Sequence, residues 1–281
     1  MIIDCHVHVN NYHDENVDNL GGCLDDLRLQ MRRNRVDAAL ILTSYKVVPG
    51  RPSTKSVVDA VRPFDNLFVV AGLSYSNFSQ NDLDEIRGFI KEKKVVGLKL
   101  YPGYEPFYPS DERLEPVYQL AAETNVPVMV HTGDTYTPKG KLKYSHPLNI
   151  DEAAVDHPHV NFVICHIGNP WMRDTMEVVY KNANVYTDIS GLALGNFSDR
   201  FEKFMQRQMQ EMLTWGVEPE KCLYGTDWPI SSMESYIDFM ESLSIPQKEK
   251  EKMLYENTLK LFNLPIEPQS NGFKGRIPFL V

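Results

Sequence analysis

Two histidines one residue apart end the first apolar run of the chain, MIIDCHVHVN. Successive side chains of a β-strand point to opposite faces, so His6 and His8 would share one face. Neutral imidazoles are common ligands of divalent ions such as Zn²⁺. The pair therefore indicates either a metal site or an exposed strand that carries two histidines by chance, and the rest of the chain must decide.

Further side chains that could bind a metal or move a proton close later apolar runs. They are Lys99 in VVGLKLY, His131 in VPVMVHT, His166 in VNFVICHIG and Asp227 in KCLYGTD. Buried imidazoles and a buried carboxylate need partners that offset their desolvation, and one shared divalent cation would satisfy them together. Because several such residues end strands in the same way, the metal interpretation is favoured over chance.

The elements that must position these residues alternate regularly along the chain. Eight short β-branched apolar runs begin near residues 1, 36, 66, 95, 126, 160, 184 and 221, and segments with helical spacing and charged faces separate them. This alternation predicts a parallel sheet with helices outside it, and eight units predict a single-domain (β/α)8 TIM barrel. A doubly wound open sheet is the alternative, which the lack of a Gly-rich loop after the first strand disfavours.

Side-chain alternation predicts which residues face the barrel interior. Lys99 and the strand-end histidines point inward, near the carboxyl-terminal mouth where barrel active sites are built. The same count places Cys5 and Cys165 on the outer face, as packing residues against helices. In the fourth strand it places Val96 outward as well.

Composition narrows the class of protein. The net charge is −9 and no basic cluster is present, so nucleic acid and anionic membranes are poor partners. No run approaches the ~18 apolar residues of a membrane span, and no leader precedes the first strand, so a cytoplasmic protein is expected. The four cysteines form no CxxC pair and predict no disulfide framework. Residues 1–264 are assigned to the barrel, and residues 265–281 to a tail that docks on the barrel or on the second subunit of a homodimer.

Together these motifs resemble the amidohydrolase superfamily. The pattern of this superfamily consists of an HxH on the first strand, histidines that end the fifth and sixth strands, and an aspartate that ends the eighth. In this sequence the resemblance covers nearly the whole chain. GTDWP at Gly225 and ENTLKLFNL at Glu256 resemble the closing segments of the amidohydrolase-related branch. That branch includes aminocarboxymuconate semialdehyde decarboxylase, aromatic-acid decarboxylases and the pyrone dicarboxylate hydrolase. The resemblance implies a metal-dependent barrel enzyme.

The resemblance also implies roles for individual residues. His6, His8 and Asp227 would bind a first divalent ion, most simply zinc, and His131 would complete a one-metal site. His166 would then act in acid–base chemistry or as an electrostatic donor. If a second ion binds, Lys99, after carbamylation, and His166 would be its ligands. Alternatively, Lys99 stays an ammonium that pairs with a substrate carboxylate or with Asp227.

The expected activity is hydrolysis of an ester, lactone or amide bond in a small, carboxylate-bearing substrate, with Asp227 and His166 moving protons. The alternatives are a metal-dependent decarboxylase of a small unsaturated or aromatic acid and a metal-binding barrel without turnover. Substrate contacts are expected from the loops that follow the strands. The candidates are Lys99, Tyr101, Tyr104, Tyr136, Lys139, Lys141, Trp171, Arg173 and Trp228.

Overall fold

Eight parallel strands pair in sequence order in the computed structural model, which describes residues 1–267. The strands are β1 (Ile3–Val7), β2 (Ala38–Leu42), β3 (Leu67–Gly72), β4 (Val95–Leu100), β5 (Val128–Val130), β6 (Phe162–Ile164), β7 (Val185–Asp188) and β8 (Cys222–Leu223). Backbone bonds from Cys5 N to Tyr224 O (3.0 Å) and from His8 N to Trp228 O (2.7 Å) bring the last strand back to the first. The (β/α)8 prediction is confirmed, and the doubly wound alternative is wrong.

Within residues 1–267, seven α-helices lie between successive strands and pack on the outside of the sheet, and three more follow β8. They are α1 (Leu20–Asn34), α2 (Thr54–Val61), α3 (Gln80–Lys91), α4 (Glu115–Thr124), α5 (Asn149–Asp156), α6 (Met172–Lys181), α7 (Asp199–Trp215), α8 (Met233–Ser242), α9 (Gln247–Glu251) and α10 (Asn257–Leu261). Local sequence sets their ends: Ser79 and Asp82 form a capping box at the start of α3, and Arg35 ends α1 in a left-handed conformation. None of the helices within residues 1–267 is both long and apolar enough to cross a bilayer.

Two apolar layers hold the barrel together. The outer layer lies between strands and helices, and the inner layer fills the barrel with side chains such as Leu40, Phe68 and Met129. Phe262, which follows α10, joins the inner layer and packs at the end where the strands begin. A Cβ atom on Gly97 would lie 3.0 Å from the Phe262 ring, so a glycine in β4 makes room for this side chain. Phe262 therefore closes the barrel at the end opposite the mouth.

The predicted outward direction of Cys5 and Cys165 is wrong, because both pack in the inner layer. Register shifts between Asp4 and Val7 in β1, so Cys5 faces inward before His6 does the same. After β6 the chain turns sharply, and His166 adopts a left-handed backbone with φ 61°. Each shift lets two consecutive side chains face the interior, which simple alternation does not allow.

A similar register shift in β4 makes the predicted side-chain directions wrong at the start of the strand, whereas those at its end are as predicted. Pairing with β3 skips one residue between Val95 and Gly97, and Val96 packs inside the barrel instead of outside. Alternation resumes after the shift, so Leu98 packs outward and Lys99 reaches the interior cavity. The predicted tail, 265–281, falls outside the described residues from position 268 onward, and its docking stays a prediction.

Replacing Phe262 with alanine should destabilise the barrel strongly. The side chain is 2% exposed, and large-to-small core changes of this kind cost about 3–5 kcal/mol. Urea unfolding of Phe262→Ala measures the loss. Tyr180→Ala is the matched control, because Tyr180 is 69% exposed on α6. Equal unfolding midpoints for the two variants would show that Phe262 is not part of the core.

Candidate metal centre and active site

A cavity of about 390 Å³ opens at the carboxyl ends of the strands. It brings the predicted metal and proton-transfer residues together, although their roles stay predictions. The predicted residues on its wall are His6, His8, Lys99, Tyr101, Tyr104, His131, Tyr136, His166 and Asp227. The structure therefore gathers, from five different strands or the loops that follow them, the polar side chains that the sequence pattern singled out.

Two histidines and one carboxylate converge at the base of this cavity. The Oδ1 atom of Asp227 lies 3.1 Å from His8 Nε2 and 3.6 Å from His6 Nε2. The potential ligand atoms of these three buried residues all lie within 4.8 Å of one another. Two imidazole nitrogens and one carboxylate oxygen are ligands that Zn²⁺ and Mn²⁺ accept.

The far side of each ring shows which nitrogen carries its proton. His6 Nδ1 lies 2.9 Å from Asp188 Oδ2, and His8 Nδ1 lies 2.9 Å from the carbonyl oxygen of Leu42. Both partners can only accept, so Nδ1 is the donor in each ring. Burial lowers the pKa of His6 to about 3, so the ring is neutral and its Nε2 bears a lone pair. Such outer partners orient metal-binding histidines in proteins.

The polar groups of this cluster would be better satisfied with a bound cation than by the protein alone. With the proton of each ring on Nδ1, the Nε2 lone pairs of His6 and His8 both face Asp227 Oδ1 with no proton between them. Burial alone would raise the pKa of Asp227; the neighbouring His8, His6 and His166 lower it, and the carboxyl is ionised. A divalent ion held by His6, His8 and Asp227 would satisfy all three groups at once.

His131 and His166 line the cavity beside this cluster. Their rings lie 5.1 Å apart, and the His166 ring lies 4.9 Å from that of His6. His131 Nε2 lies 3.0 Å from the carbonyl oxygen of Asp134, which fixes its proton on that nitrogen. Burial lowers the pKa of both rings and keeps them neutral. His131 could complete the metal site through Nε2 only if that bond to Asp134 opened.

Lys99 is buried at the cavity wall with an unusual partner. Its Nζ donates a hydrogen bond of 2.7 Å to the thiol of Cys165 and lies 5.4 Å from the centre of the Tyr101 ring. Within residues 1–267, no carboxylate oxygen lies within salt-bridge distance of Nζ. Because a neutral thiol does not offset a positive charge, the lysine remains open to an anion from outside the protein.

The expected substrate contacts fall into two groups. Tyr101 and Tyr104 are buried or half-buried on the cavity wall, and the exposed Tyr136 stands at its mouth. The others do not line this cavity: Lys139 and Lys141 are exposed in the loop after β5, and the remaining three contact other parts of the surface. Trp171 packs on His146, Arg173 pairs with Glu211 with its side chain 80% exposed, and Trp228 packs on the outer apolar layer. Their placement does not support substrate contact.

Sequence reasoning overlooked several residues of the site, among them Asp188, Ser190, Tyr12 and Arg51. Asp188 ends β7 and carried the same strand-end signal as Asp227, so it could have been found; Ser190 follows it. Tyr12 and Arg51 lie in loops after β1 and β2, where no periodic pattern points to the cavity. Arg51 Nη2 pairs with Glu15 at 3.0 Å, whereas its buried Nε has no hydrogen-bond partner among the described residues.

Asp188 is the most tightly bound of the overlooked residues. Burial alone would raise the pKa of this fully buried carboxyl, but its hydrogen bond and charge interaction with His6 hold the pKa well below the usual range. Oδ1 accepts from the backbone N–H groups of His166 (2.9 Å) and Ser190 (3.0 Å). The carboxylate therefore orients a candidate metal ligand and a candidate proton-transfer residue together.

Comparison with known proteins agrees with the fold and with the motif pattern. A protein-family model described as Amidohydrolase matches residues 3–264. No curated protein matches the chain.

Among solved structures, an uncharacterised TIM-barrel protein from Bordetella bronchiseptica has a TM-score of 0.74 at 17% identity, covering 94% of this chain and 98% of the other. A probable 2-pyrone-4,6-dicarboxylic acid hydrolase from Acinetobacter baumannii, with citric acid bound, has a TM-score of 0.68 at 14% identity, covering 93% and 99%. A dihydroxybenzoic acid decarboxylase from Polaromonas, with bound manganese and an inhibitor, has a TM-score of 0.66 at 13% identity, covering 95% and 98%. At these identities the similarity shows the fold alone.

Metal-stripped protein should bind about one equivalent of Zn²⁺ or Mn²⁺ at the base of the cavity. His8→Ala should weaken binding more than about 100-fold, because loss of an outer partner alone costs 10–100-fold. Isothermal titration calorimetry and metal analysis measure both quantities. His13→Ala, in an exposed loop, is the control. Equal affinities of the two variants would exclude His8 as a ligand, and two equivalents would indicate a second ion.

Proposed function

Because the chain belongs to the amidohydrolase family, we propose that it is a metal-dependent hydrolase that cleaves an ester, lactone or amide bond in a small carboxylate-bearing substrate. The observation that carries the proposal is the convergence of His6 Nε2, His8 Nε2 and Asp227 Oδ1 at the base of a cavity. A divalent cation bound there would act as a Lewis acid that polarises a carbonyl and makes water a stronger nucleophile.

Asp227 and His166 are the groups that move protons in this proposal. The ionised carboxylate of Asp227 can accept a proton from the attacking water. His166 keeps its proton on Nδ1, which faces the carbonyl and hydroxyl oxygens of Ser190, so its Nε2 is an acceptor in the resting state. Once protonated, either group can return a proton to the leaving oxygen or nitrogen.

Two cationic side chains support a carboxylate-bearing substrate. Lys99 lies at the cavity wall without a carboxylate within salt-bridge distance, and Arg51 faces the same cavity with an unpartnered Nε. Arg51 is already paired with Glu15 through Nη2, so its Nε can add only a hydrogen bond, whereas the buried charge of Lys99 costs free energy until an anion pairs with it. A substrate carboxylate supplies that anion and fixes the orientation of the bond to be cleaved.

Decarboxylation is the second candidate, and a cluster of aromatic side chains favours it. The Tyr45 ring lies 5.1 Å from that of Tyr101 and 6.2 Å from that of Tyr104, and all three line the cavity. Such a wall suits a planar ring. In this case the same cations would hold the ring acid, and His166, once it has taken up a proton on Nε2, would deliver that proton to the carbon that loses CO₂.

Isotopic labelling separates the two reactions. The substrate panel contains lactone carboxylic acids, aryl ester carboxylic acids and hydroxybenzoic acids, each incubated with the metal-loaded enzyme. Hydrolysis in H₂¹⁸O places one ¹⁸O atom in the product, whereas decarboxylation in D₂O releases CO₂ and places deuterium on the ring carbon. We expect ¹⁸O incorporation by mass spectrometry. Deuterium incorporation with CO₂ release would overturn the hydrolase proposal in favour of a lyase.

Asp227→Asn should reduce kcat at least about 100-fold, because the amide keeps the shape of the side chain but cannot accept a proton. Circular dichroism and urea unfolding check that the fold is intact. Steady-state kinetics on the substrate from the labelling panel gives kcat. Retention of most activity would show that Asp227 neither accepts a proton nor is an essential ligand.

Lys99→Ala tests whether the lysine binds the substrate or a metal ion in the proposed reaction. If Lys99 binds the substrate carboxylate as an ammonium, the variant keeps its metal and KM rises about 10- to 100-fold, since hydrogen bonds to charged groups contribute about 1.5–3 kcal/mol. Lys55→Ala is the control, because this exposed lysine lies on α2 and pairs with Asp59. Loss of about one metal equivalent, partly restored by a short carboxylic acid, would instead indicate a carbamylated lysine that bridges two ions.

A further inference from the structure

Ser190 lies just after β7 and is fully buried between the two functional histidines. Its hydroxyl oxygen is 2.5 Å from Asp188 Oδ1, 2.9 Å from His6 Nδ1 and 2.9 Å from His166 Nδ1. One hydroxyl group therefore contacts a candidate metal ligand, a candidate proton-transfer residue and the carboxylate that orients them. No pattern in the sequence pointed to this serine.

Counting protons fixes the direction of each hydrogen bond. The ionised carboxylate of Asp188 can only accept, so the single hydroxyl proton of Ser190 is donated to it. The two lone pairs of Ser190 Oγ then accept from the Nδ1–H groups of His6 and His166. Asp188 Oδ2 offers His6 a second acceptor at 2.9 Å, whereas the other acceptor for His166 is the carbonyl of Ser190 itself at 3.1 Å.

The residue after Ser190 leaves the space that the His166 ring occupies. Gly191 has φ 64°, and a Cβ atom there would lie 2.5 Å from His166 Nδ1 and 3.1 Å from Asp227 Oδ2. A side chain at this position would displace the ring or the carboxylate. Ser190 thus holds the protonated edge of His166, and Gly191 leaves room for the ring to lie beside Asp227.

We propose that Ser190 is a positioning residue that fixes His166 in the Nδ1–H tautomer, with the Nε2 lone pair available on the opposite edge of the ring. The proposal deepens the proposed function and rests on it for the part that concerns turnover. Metal binding depends chiefly on the bond from His6 to Asp188, which does not need the serine hydroxyl. Proton transfer depends on Ser190, because His166 has no side-chain acceptor other than this hydroxyl among the residues described.

Ser190→Ala separates these two contributions. It should leave the Zn²⁺ affinity nearly unchanged and lower kcat about 10- to 100-fold, the usual effect of losing an outer partner, with KM little changed. Ser190→Thr keeps the hydroxyl and should restore most of kcat. Ser231→Ala is the matched control, since this buried serine donates its hydroxyl to the backbone carbonyl of Ala193 and touches neither histidine.

The histidine tautomers give a readout that does not need a substrate. Proton–nitrogen correlation spectra of metal-free protein, labelled with ¹⁵N in its histidines, distinguish Nδ1–H from Nε2–H rings. The His166 signals are those that disappear in His166→Ala. We expect a pure Nδ1–H form in the wild type, Ser190→Thr and Ser231→Ala, and a mixture of forms in Ser190→Ala.

The outcomes distinguish this proposal from the proposed function. An unchanged His166 tautomer in a folded Ser190→Ala protein would overturn the positioning role, whatever the enzyme's activity. A large fall in Zn²⁺ affinity with unchanged kcat would overturn it as well, because the serine would then serve the metal ligand. A tautomer change in a protein that turns over no member of the substrate panel supports the positioning role and counts against the hydrolase proposal alone.

Discussion

The ionised carboxylate of Asp188 lies inside the barrel and accepts hydrogen bonds from four donors. They are the Nδ1–H of His6, the backbone N–H groups of His166 and Ser190, and the hydroxyl of Ser190. A buried charge is costly unless it is hydrogen-bonded, and here each bond also orients a functional group. The carboxylate fixes the tautomer of His6, holds the backbone of His166 and sets the hydroxyl of Ser190. Three residues of the cavity base, His6, His166 and Ser190, are therefore oriented by this one buried charge.

The backbone at the cavity base is strained at two positions. His166 (φ 61°) and Asp227 (φ 67°) both lie in the left-handed region, which costs non-glycine residues about 1–2 kcal/mol. Each is held by a backbone bond: His166 N donates to Asp188, and Asp227 N donates to His6 O at 2.8 Å. The two residues with proposed proton-transfer roles are thus aimed by conformations that the neighbouring strands impose.

The order of elements and the convergence of the candidate metal ligands in one cavity could be predicted from sequence, because both depend on local periodicity. Eight apolar runs became eight strands, and His6, His8, His131 and Asp227 reached one cavity as alternation requires. Cys5 and Cys165 were misplaced, because a register shift in β1 and a tight turn after β6 are backbone events that periodicity does not record. Which loop side chains reach the cavity, as Arg51 does and Trp171 does not, depends on tertiary folding and could not be predicted from residue type.

The position of Phe262 bears on how a small molecule would enter and leave the cavity. Its ring and the inner apolar layer seal the end of the barrel where the strands begin, within residues 1–267. The cavity opens at the carboxyl ends of the strands, where Tyr136 and Leu194 are among its exposed lining side chains. In the proposed reaction, a product that retains its carboxylate would leave past the same cations that bind the substrate, so the two would compete for one site.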